Sequence, residues 1–145
     1  MLQKLHSKRQ GFTLVEIMIV VAIIALLAAI AVPNFLRARQ RSQATAILEE
    51  VKLLEGAKEQ WAVETNQKGD ADVDFTALKK YLKPGSRLAE ASTAEDILGN
   101  AMTLGKVNDH IKLNASTISN FSDLFEDDAE ASKFWGMHGA AAVEE

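Results

Sequence analysis

The sequence contains no cysteine, only two prolines and one tyrosine. Absence of cysteine excludes disulfide bonds and thiolate metal sites. The three histidines, His6, His110 and His138, lie far apart in the chain, and there is no HExxH, GxSxG or glycine-rich phosphate motif. Because catalysis needs several groups that converge, this inventory argues against an enzyme, and it predicts neither a cofactor nor a metal site.

The most prominent feature is a long apolar segment near the N-terminus. Between Phe12 and Val32 only Thr13 and Glu16 are polar, and the run from Ile17 onward is unbroken. As a helix, this segment would be about 32 Å long at ~1.5 Å per residue, which matches a hydrocarbon layer of ~30 Å. The segment is therefore predicted to span a membrane.

Charge is distributed unevenly along the chain. Residues 1–11 carry +3, residues 12–32 carry −1, residues 33–65 are neutral and residues 66–145 carry −6, which gives the net charge of −4. The acidic distal part is a poor partner for nucleic acid, whose affinity comes from Lys and Arg. The basic start resembles the beginning of a signal peptide, but the apolar run is too long and Pro33-Asn34-Phe35 is not a small-residue cleavage site.

Glu16 is the only charged residue in the apolar segment. A charge at mid-membrane costs on the order of 2.5–3.5 kcal/mol, and less near the interface. One explanation is local: Thr13 and Glu16 have the spacing of a capping box, and a carboxylate suits the positive end of a helix dipole. This explanation needs no partner molecule.

A second explanation comes from a family resemblance. The residues KRQ-Gly11-Phe12-Thr13-Leu14-Val15-Glu16, followed by the apolar run and Pro33-Asn34, resemble the N-terminus of type IV prepilins and of type II secretion pseudopilins. The resemblance implies that prepilin peptidase cuts between Gly11 and Phe12 and that Phe12 is then N-methylated. The cut would leave 145 − 11 = 134 residues.

In that family setting, Glu16 pairs with the new ammonium on Phe12 of a neighbouring subunit, because opposite charges attract strongly at low dielectric. Pairing with the chain's own Phe12, one turn away, competes with it. Pro33 is expected to bend or loosen the helix, and it also marks the membrane exit. Ala25 and Ala29 form a small-xxx-small pair that lets helices approach closely. The assembly residues are thus Glu16 and Pro33.

The predicted fold class is α+β and pilin-like, with a long N-terminal helix packed on a small domain that has short helices and an antiparallel β-hairpin. The expected organisation is a cleaved leader (1–11), a transmembrane or filament-core helix (12–33), an amphipathic continuation (34–65), a small soluble head (66–138) and a flexible tail (139–145). Three basic residues flank each side of the span, so charge does not decide topology. The resemblance implies a single-pass inner-membrane protein with a cytoplasmic N-terminus and a periplasmic or extracellular head, which is later found in the filament.

The apolar spacing in residues 34–65 predicts one buried face with Ala44, Ile47, Val51, Leu54 and Trp61. The opposite, polar face is predicted to carry Glu49, Glu50, Lys52, Glu55, Lys58 and Glu59. Further along, we predict a helix over 75–82, one turn over 92–98, a hairpin pairing 101–104 with 110–114, and a helix over 116–128. The stretch Asp96-Ile97-Leu98-Gly99-Asn100 is similar to a short motif of major pseudopilins.

Three charged clusters are predicted to face solvent, or lipid headgroups in the case of the first. Arg37, Arg39 and Arg41 follow the membrane span, with pairing to Glu49 or Glu50 of an adjacent subunit as the alternative. Asp70, Asp72 and Asp74 imitate the start of a calcium loop, but the glycine and the bidentate glutamate are missing. The run of acids from Asp123 to Glu130 lacks the calcium-loop pattern expected of major pseudopilins.

Two functions follow from these features. The first is a structural subunit of a type IV pilus or of a type II secretion pseudopilus. Its expected partners are copies of itself or other pilins, prepilin peptidase, an inner-membrane assembly platform and, before assembly, membrane lipid. The alternative is a bitopic anchor that presents an acidic extracytoplasmic interaction domain and does not polymerise.

Overall fold

The computed structural model describes residues 11–139. The predicted leader up to Gln10, including His6, and most of the predicted tail lie outside this range. The five α-helices are α1 (Leu14–Glu64), α2 (Phe75–Leu78), α3 (Arg87–Glu90), α4 (Ala115–Ser119) and α5 (Asp128–Trp135). Short 3₁₀ turns cover Lys79–Tyr81, Ser122–Leu124 and Gly136–His138. The described residues form two compact units, which meet between Arg37 and Ala38.

The first unit is the apolar start of α1. Every side chain from Gly11 to Arg37 is exposed, including large apolar residues such as Phe12, Ile19 and Leu26. Among the described residues, α1 is the one helix long and apolar enough to cross a membrane. An apolar helix with no buried face needs lipid or other protein around it, so the long apolar N-terminal helix is confirmed.

The second unit, which we call the head, is built on the C-terminal part of α1. Ala44, Ile47, Val51 and Leu54 are fully buried, as the spacing predicted, and Trp61 is half-buried against the same core. Each large apolar side chain contributes about 1.5–3 kcal/mol when it leaves water. The rest of the core comes from the short elements and loops that follow, and its members are Phe75, Leu78, Leu82, Leu88, Met102, Ile111, Leu113, Phe121 and Trp135.

The predicted β-hairpin is reduced to a single antiparallel bridge between Thr103 and Lys112. These two residues exchange both backbone hydrogen bonds at 2.9 Å, but no strand is present in residues 11–139. The next hydrogen-bonded pairs of such a ladder would join Ala101 with Asn114 and Gly105 with His110. Asn114 caps α4 instead, because its side chain accepts from the Ser116 amide and its carbonyl accepts from the Thr117 amide. At the other end, the Asp109 amide donates to the Lys106 carbonyl and closes a turn. The described head is therefore helical, joined by isolated bridges.

The helix predictions in the head are partly wrong. Residues 75–82 form α2 and a 3₁₀ turn, where one helix was predicted. The predicted helical turn over 92–98 is absent, and a short helix that was not predicted, α3, lies before it. The side chain of Ser86 caps α3 by accepting from the Ala89 amide. Residues 116–128 are divided between α4 and a 3₁₀ turn, and α5, which places Trp135 in the core, was not predicted.

Candidate assembly site

The residues around the start of α1 form a reciprocal capping box. The Glu16 amide donates to Thr13 Oγ1 at 3.2 Å, while Glu16 Oε2 accepts from the Thr13 amide and hydroxyl at 3.3 Å. These bonds are long for protein hydrogen bonds, and all three groups are exposed. The local role suggested by the spacing of Thr13 and Glu16 is therefore present in the isolated chain.

Gly11 and Phe12 precede this box in an open, non-helical segment. Phe12 is 79% exposed, and a Cβ added at Gly11 would have no atom within 4 Å. The bond between them is thus not covered by any described part of the chain. At the other end of the apolar segment, Pro33 lies inside α1, which is continuous on both sides of it. Proline has no amide proton, so the carbonyl of Ala29 loses its usual helical donor.

The arginines that follow Pro33 do not pair with the acids of their own chain that the structure describes. Arg37, Arg39 and Arg41 are exposed and make no ion pair within residues 11–139. Glu50 is already engaged: its two carboxylate oxygens accept from Arg87 Nε at 2.7 Å and from Arg87 Nη2 at 2.5 Å. The bond from Glu50 raises the pKa of Arg87, and this pair links α1 to α3.

Of the acidic residues at 70–74, Asp74 has a structural role. Asp74 caps α2, because its carboxylate accepts from the amide of Thr76 at 3.1 Å and from its hydroxyl at 2.5 Å. These bonds lower the pKa of Asp74. Within the described residues, no group of three or more acids and histidines is arranged to hold a metal ion.

Lys58 was predicted on the solvated face of α1, and this was wrong. Its side chain is only 2% exposed. Its ammonium donates to the carbonyls of Leu104 at 3.3 Å and Lys106 at 3.1 Å, and also to the carbonyl of Asp109. Burial lowers the pKa of Lys58, and the nearby carboxylates of Glu55 and Asp109 partly oppose this effect. Helical periodicity alone does not reveal this role, because it depends on a loop about fifty residues away.

Replacing Lys58 with methionine should lower the free energy of unfolding by about 1–3 kcal/mol, because the loop carbonyls lose a charged donor that water replaces incompletely. Lys52→Met is the matched control, since Lys52 is an exposed lysine of the same helix and should shift stability by less than about 0.5 kcal/mol. Denaturant unfolding of the detergent-solubilised chain, followed by tryptophan fluorescence, measures both. Equal effects of the two substitutions would show that the bonds from Lys58 to the loop carbonyls do not stabilise the head.

Glu55 connects α1 to the end of the described chain. Its Oε1 lies 3.1 Å from His110 Nδ1 and 3.7 Å from His138 Nδ1. His138 Nδ1 also lies 3.0 Å from the Ile111 carbonyl, which makes that nitrogen a donor. His110 is exposed, and it does not lie in the strand that the predicted hairpin would give it. These contacts attach the segment after α5 to α1, and none of them involves the capping box at the start of α1.

Comparison with known proteins identifies the class that these features define. A family model described as the prokaryotic N-terminal methylation motif matches residues 6–32. A type IV major fimbrial protein, FimA, of Dichelobacter nodosus is 31% identical over 137 residues, which cover 94% of this chain and 81% of that protein. A fimbrial protein of Pseudomonas aeruginosa is 35% identical over 127 residues, which cover 79% of this chain and 81% of that one.

The type II secretion system core protein G of Klebsiella pneumoniae is 28% identical over 72 residues, or 50% of this chain and 51% of that protein. No solved structure matches the chain. The chain belongs to the type IV pilin and pseudopilin family, and it is a structural filament subunit with a prepilin-type N-terminus. The members of this family are structural proteins rather than known enzymes.

Proposed function

We propose that this chain is the repeating subunit of a surface type IV pilus. The relatives that align with most of the chain are named as fimbrial proteins, whereas the secretion protein aligns with half of it. Before assembly, residues 12–33 hold the subunit in the inner membrane, with the leader in the cytoplasm and residues 66–138 in the periplasm. Residues 34–65 support this head. Membrane lipid and an inner-membrane assembly platform are its partners at that stage.

Processing would occur between Gly11 and Phe12, with prepilin peptidase making the cut and Phe12 becoming N-methylated. The exposed position of both residues, ahead of the first turn of α1, supports this proposal. A glycine before the cut lets the backbone lie extended in a protease cleft. The product has 145 − 11 = 134 residues and begins with a charged amine.

The observation that supports assembly best is the setting of Glu16. It is the one acid among exposed apolar side chains, and its bonds to Thr13 are long. When such helices bundle, water leaves, and a carboxylate held only by those bonds needs a counter-charge. The Phe12 ammonium of a neighbouring subunit supplies it and fixes the axial register. Pro33 marks the point where the membrane segment gives way to the segment that carries the head.

Replacing Gly11 with valine should block processing, so that the 145-residue chain accumulates in the membrane and no filament forms. The open space around Gly11 means that the substitution leaves folding unaffected. Gly56→Val is the matched control, because a Cβ at Gly56 also meets no atom within 4 Å. Intact-mass analysis of membrane extracts measures processing, and electron microscopy of sheared cells measures surface filaments. Normal processing of the Gly11 variant would contradict the proposed cut.

A further inference from the structure

A cleft on the head lies between α4, the 3₁₀ turn that follows it, and α5. It has a volume of about 340 Å³. The apolar side chains of Ala115, Ile118, Phe125 and Ala131 line it. The last three of these are only half-buried, so the cleft presents apolar surface that the described chain does not cover.

The rim of this cleft is acidic, because Glu126, Asp127 and Asp128 line it. Residues 115–135 contain two further acids, Asp123 and Glu130, and one base, Lys133. Asp127 and Glu130 have structural roles at the start of α5, because Asp127 accepts from the Glu130 amide and Glu130 accepts from the Glu126 amide. The remaining carboxylates make no hydrogen bond or ion pair within residues 11–139, and they belong to Asp123, Glu126 and Asp128.

The part of α1 just after Pro33 carries exposed apolar side chains and positive charge, which would complement an apolar cleft with an acidic rim. Phe35 is 68% exposed and Leu36 is 50% exposed. Both share a helix face with Arg39, which lies three or four residues further on. Together with Arg37 and Arg41 they form a segment, residues 35–41, that combines exposed apolar side chains with three arginines that pair with no acid in the described part of the chain. Since Arg87 engages Glu50, that acid is a poor partner for them.

We propose that the acidic cleft binds residues 35–41 of a second copy of this chain. Phe35 and Leu36 would enter the apolar floor, and the arginines would face the carboxylates of the rim. Charge complementarity selects this occupant, because it sets the register of an interface and disfavours wrong partners. The inference rests on the proposed filament, in which one contact of this type repeats at every subunit.

The absence of cysteine makes a crosslinking test direct. One copy carries Arg39→Cys and a co-expressed copy carries Glu126→Cys. Oxidised sheared filaments should then contain a disulfide-linked dimer that neither variant forms alone. Arg39→Cys paired with Gln67→Cys, at an exposed head position away from the cleft, is the control. Dimers in the control pair but not in the Glu126 pair would overturn the proposal.

Charge reversal tests the same contact in function. Glu126→Lys with Asp128→Lys reverses two carboxylates that line the cleft and keeps the capping side chains of Asp127 and Glu130. We expect about a tenfold loss of sheared filament, because like charges then face each other. Adding Arg37→Glu and Arg39→Glu in the same chain should restore most of the yield. Asp70→Lys with Glu90→Lys, which gives the same change in charge at exposed sites, should have little effect.

The outcomes separate this contact from the filament itself. If the unmodified chain forms filaments and the acidic-rim reversal leaves their yield unchanged, the contact is wrong and the filament stands. The same holds if the combined reversal fails to restore yield. If the unmodified chain forms no filament, the proposed function fails, and the contact fails with it.

Discussion

Replacing Glu16 with alanine should reduce the amount of assembled filament by about two to three orders of magnitude. Removing one partner of a buried ion pair costs about 3–5 kcal/mol, and ~1.4 kcal/mol corresponds to a factor of ten. The Phe12 ammonium would be left in an apolar bundle without its counter-charge. The head should stay folded, because Glu16 is exposed and lies in the other compact unit.

Thr13→Ala separates the local role of Glu16 from the proposed intersubunit role. It removes the hydroxyl that accepts from the Glu16 amide, and loss of an N-cap costs about 1 kcal/mol. Filament yield should therefore fall far less than in Glu16→Ala. Quantitative immunoblots of sheared filaments and of membrane fractions measure both. Normal assembly of Glu16→Ala would contradict the proposed pairing of Glu16 with the Phe12 ammonium of a neighbouring subunit.

Replacing Asp96 with alanine should strongly lower the free energy of unfolding of the head. Asp96 is 1% exposed, and its carboxylate accepts from the amides of Leu98 at 2.8 Å and Asn100 at 2.9 Å and from the Thr117 hydroxyl at 2.5 Å. Losing these bonds leaves the buried Thr117 hydroxyl and two partly buried amides without a charged acceptor, at a total cost of about 3–5 kcal/mol. That is a large fraction of the stability of a small domain, about 5–15 kcal/mol.

A double-mutant cycle measures how much of this loss comes from the hydrogen bond between Asp96 and Thr117. Thr117→Val keeps the shape of a fully buried side chain but removes its hydroxyl, and should cost about 1–3 kcal/mol. In the double variant the two effects should be less than additive, with a coupling of at least ~0.5 kcal/mol. Thermal unfolding of the detergent-solubilised chain measures each term. Full additivity, or a loss below about 1 kcal/mol for Asp96→Ala, would show that this network is not important for stability.

The apolar segment and the buried face of α1 could be predicted because both depend on local sequence. An unbroken apolar run and a three-or-four spacing are properties of a single helix, so Ile47, Val51 and Leu54 were placed correctly. The turn at Asp96 was indicated only by the similarity of residues 96–100 to a short motif of major pseudopilins. Its physical reason, a buried carboxylate that accepts two amides and a hydroxyl, depends on Thr117 in another element.

Most features that the sequence did not predict involve distant parts of the chain. The helical pattern places Lys58 on the polar face of α1, but its ammonium is buried against the carbonyls of the 104–109 loop. The 101–104 and 110–114 segments have strand-like patterns, but Asn114, which the next ladder hydrogen bonds would need, caps α4 instead. The helix α5 was not predicted, because it has few apolar residues, and its Trp135 reaches the core through contacts with distant residues such as Phe121. For Lys58 and Trp135, a tertiary contact decides what the local pattern does not show.

The most direct test of this account is the intact mass and N-terminal sequence of the chain taken from sheared filaments. We predict a single species of 134 residues that starts at Phe12 and carries one N-methyl group. A chain that still begins at Met1, or a processed chain found only in the membrane and never in a filament, would contradict the proposed assembly.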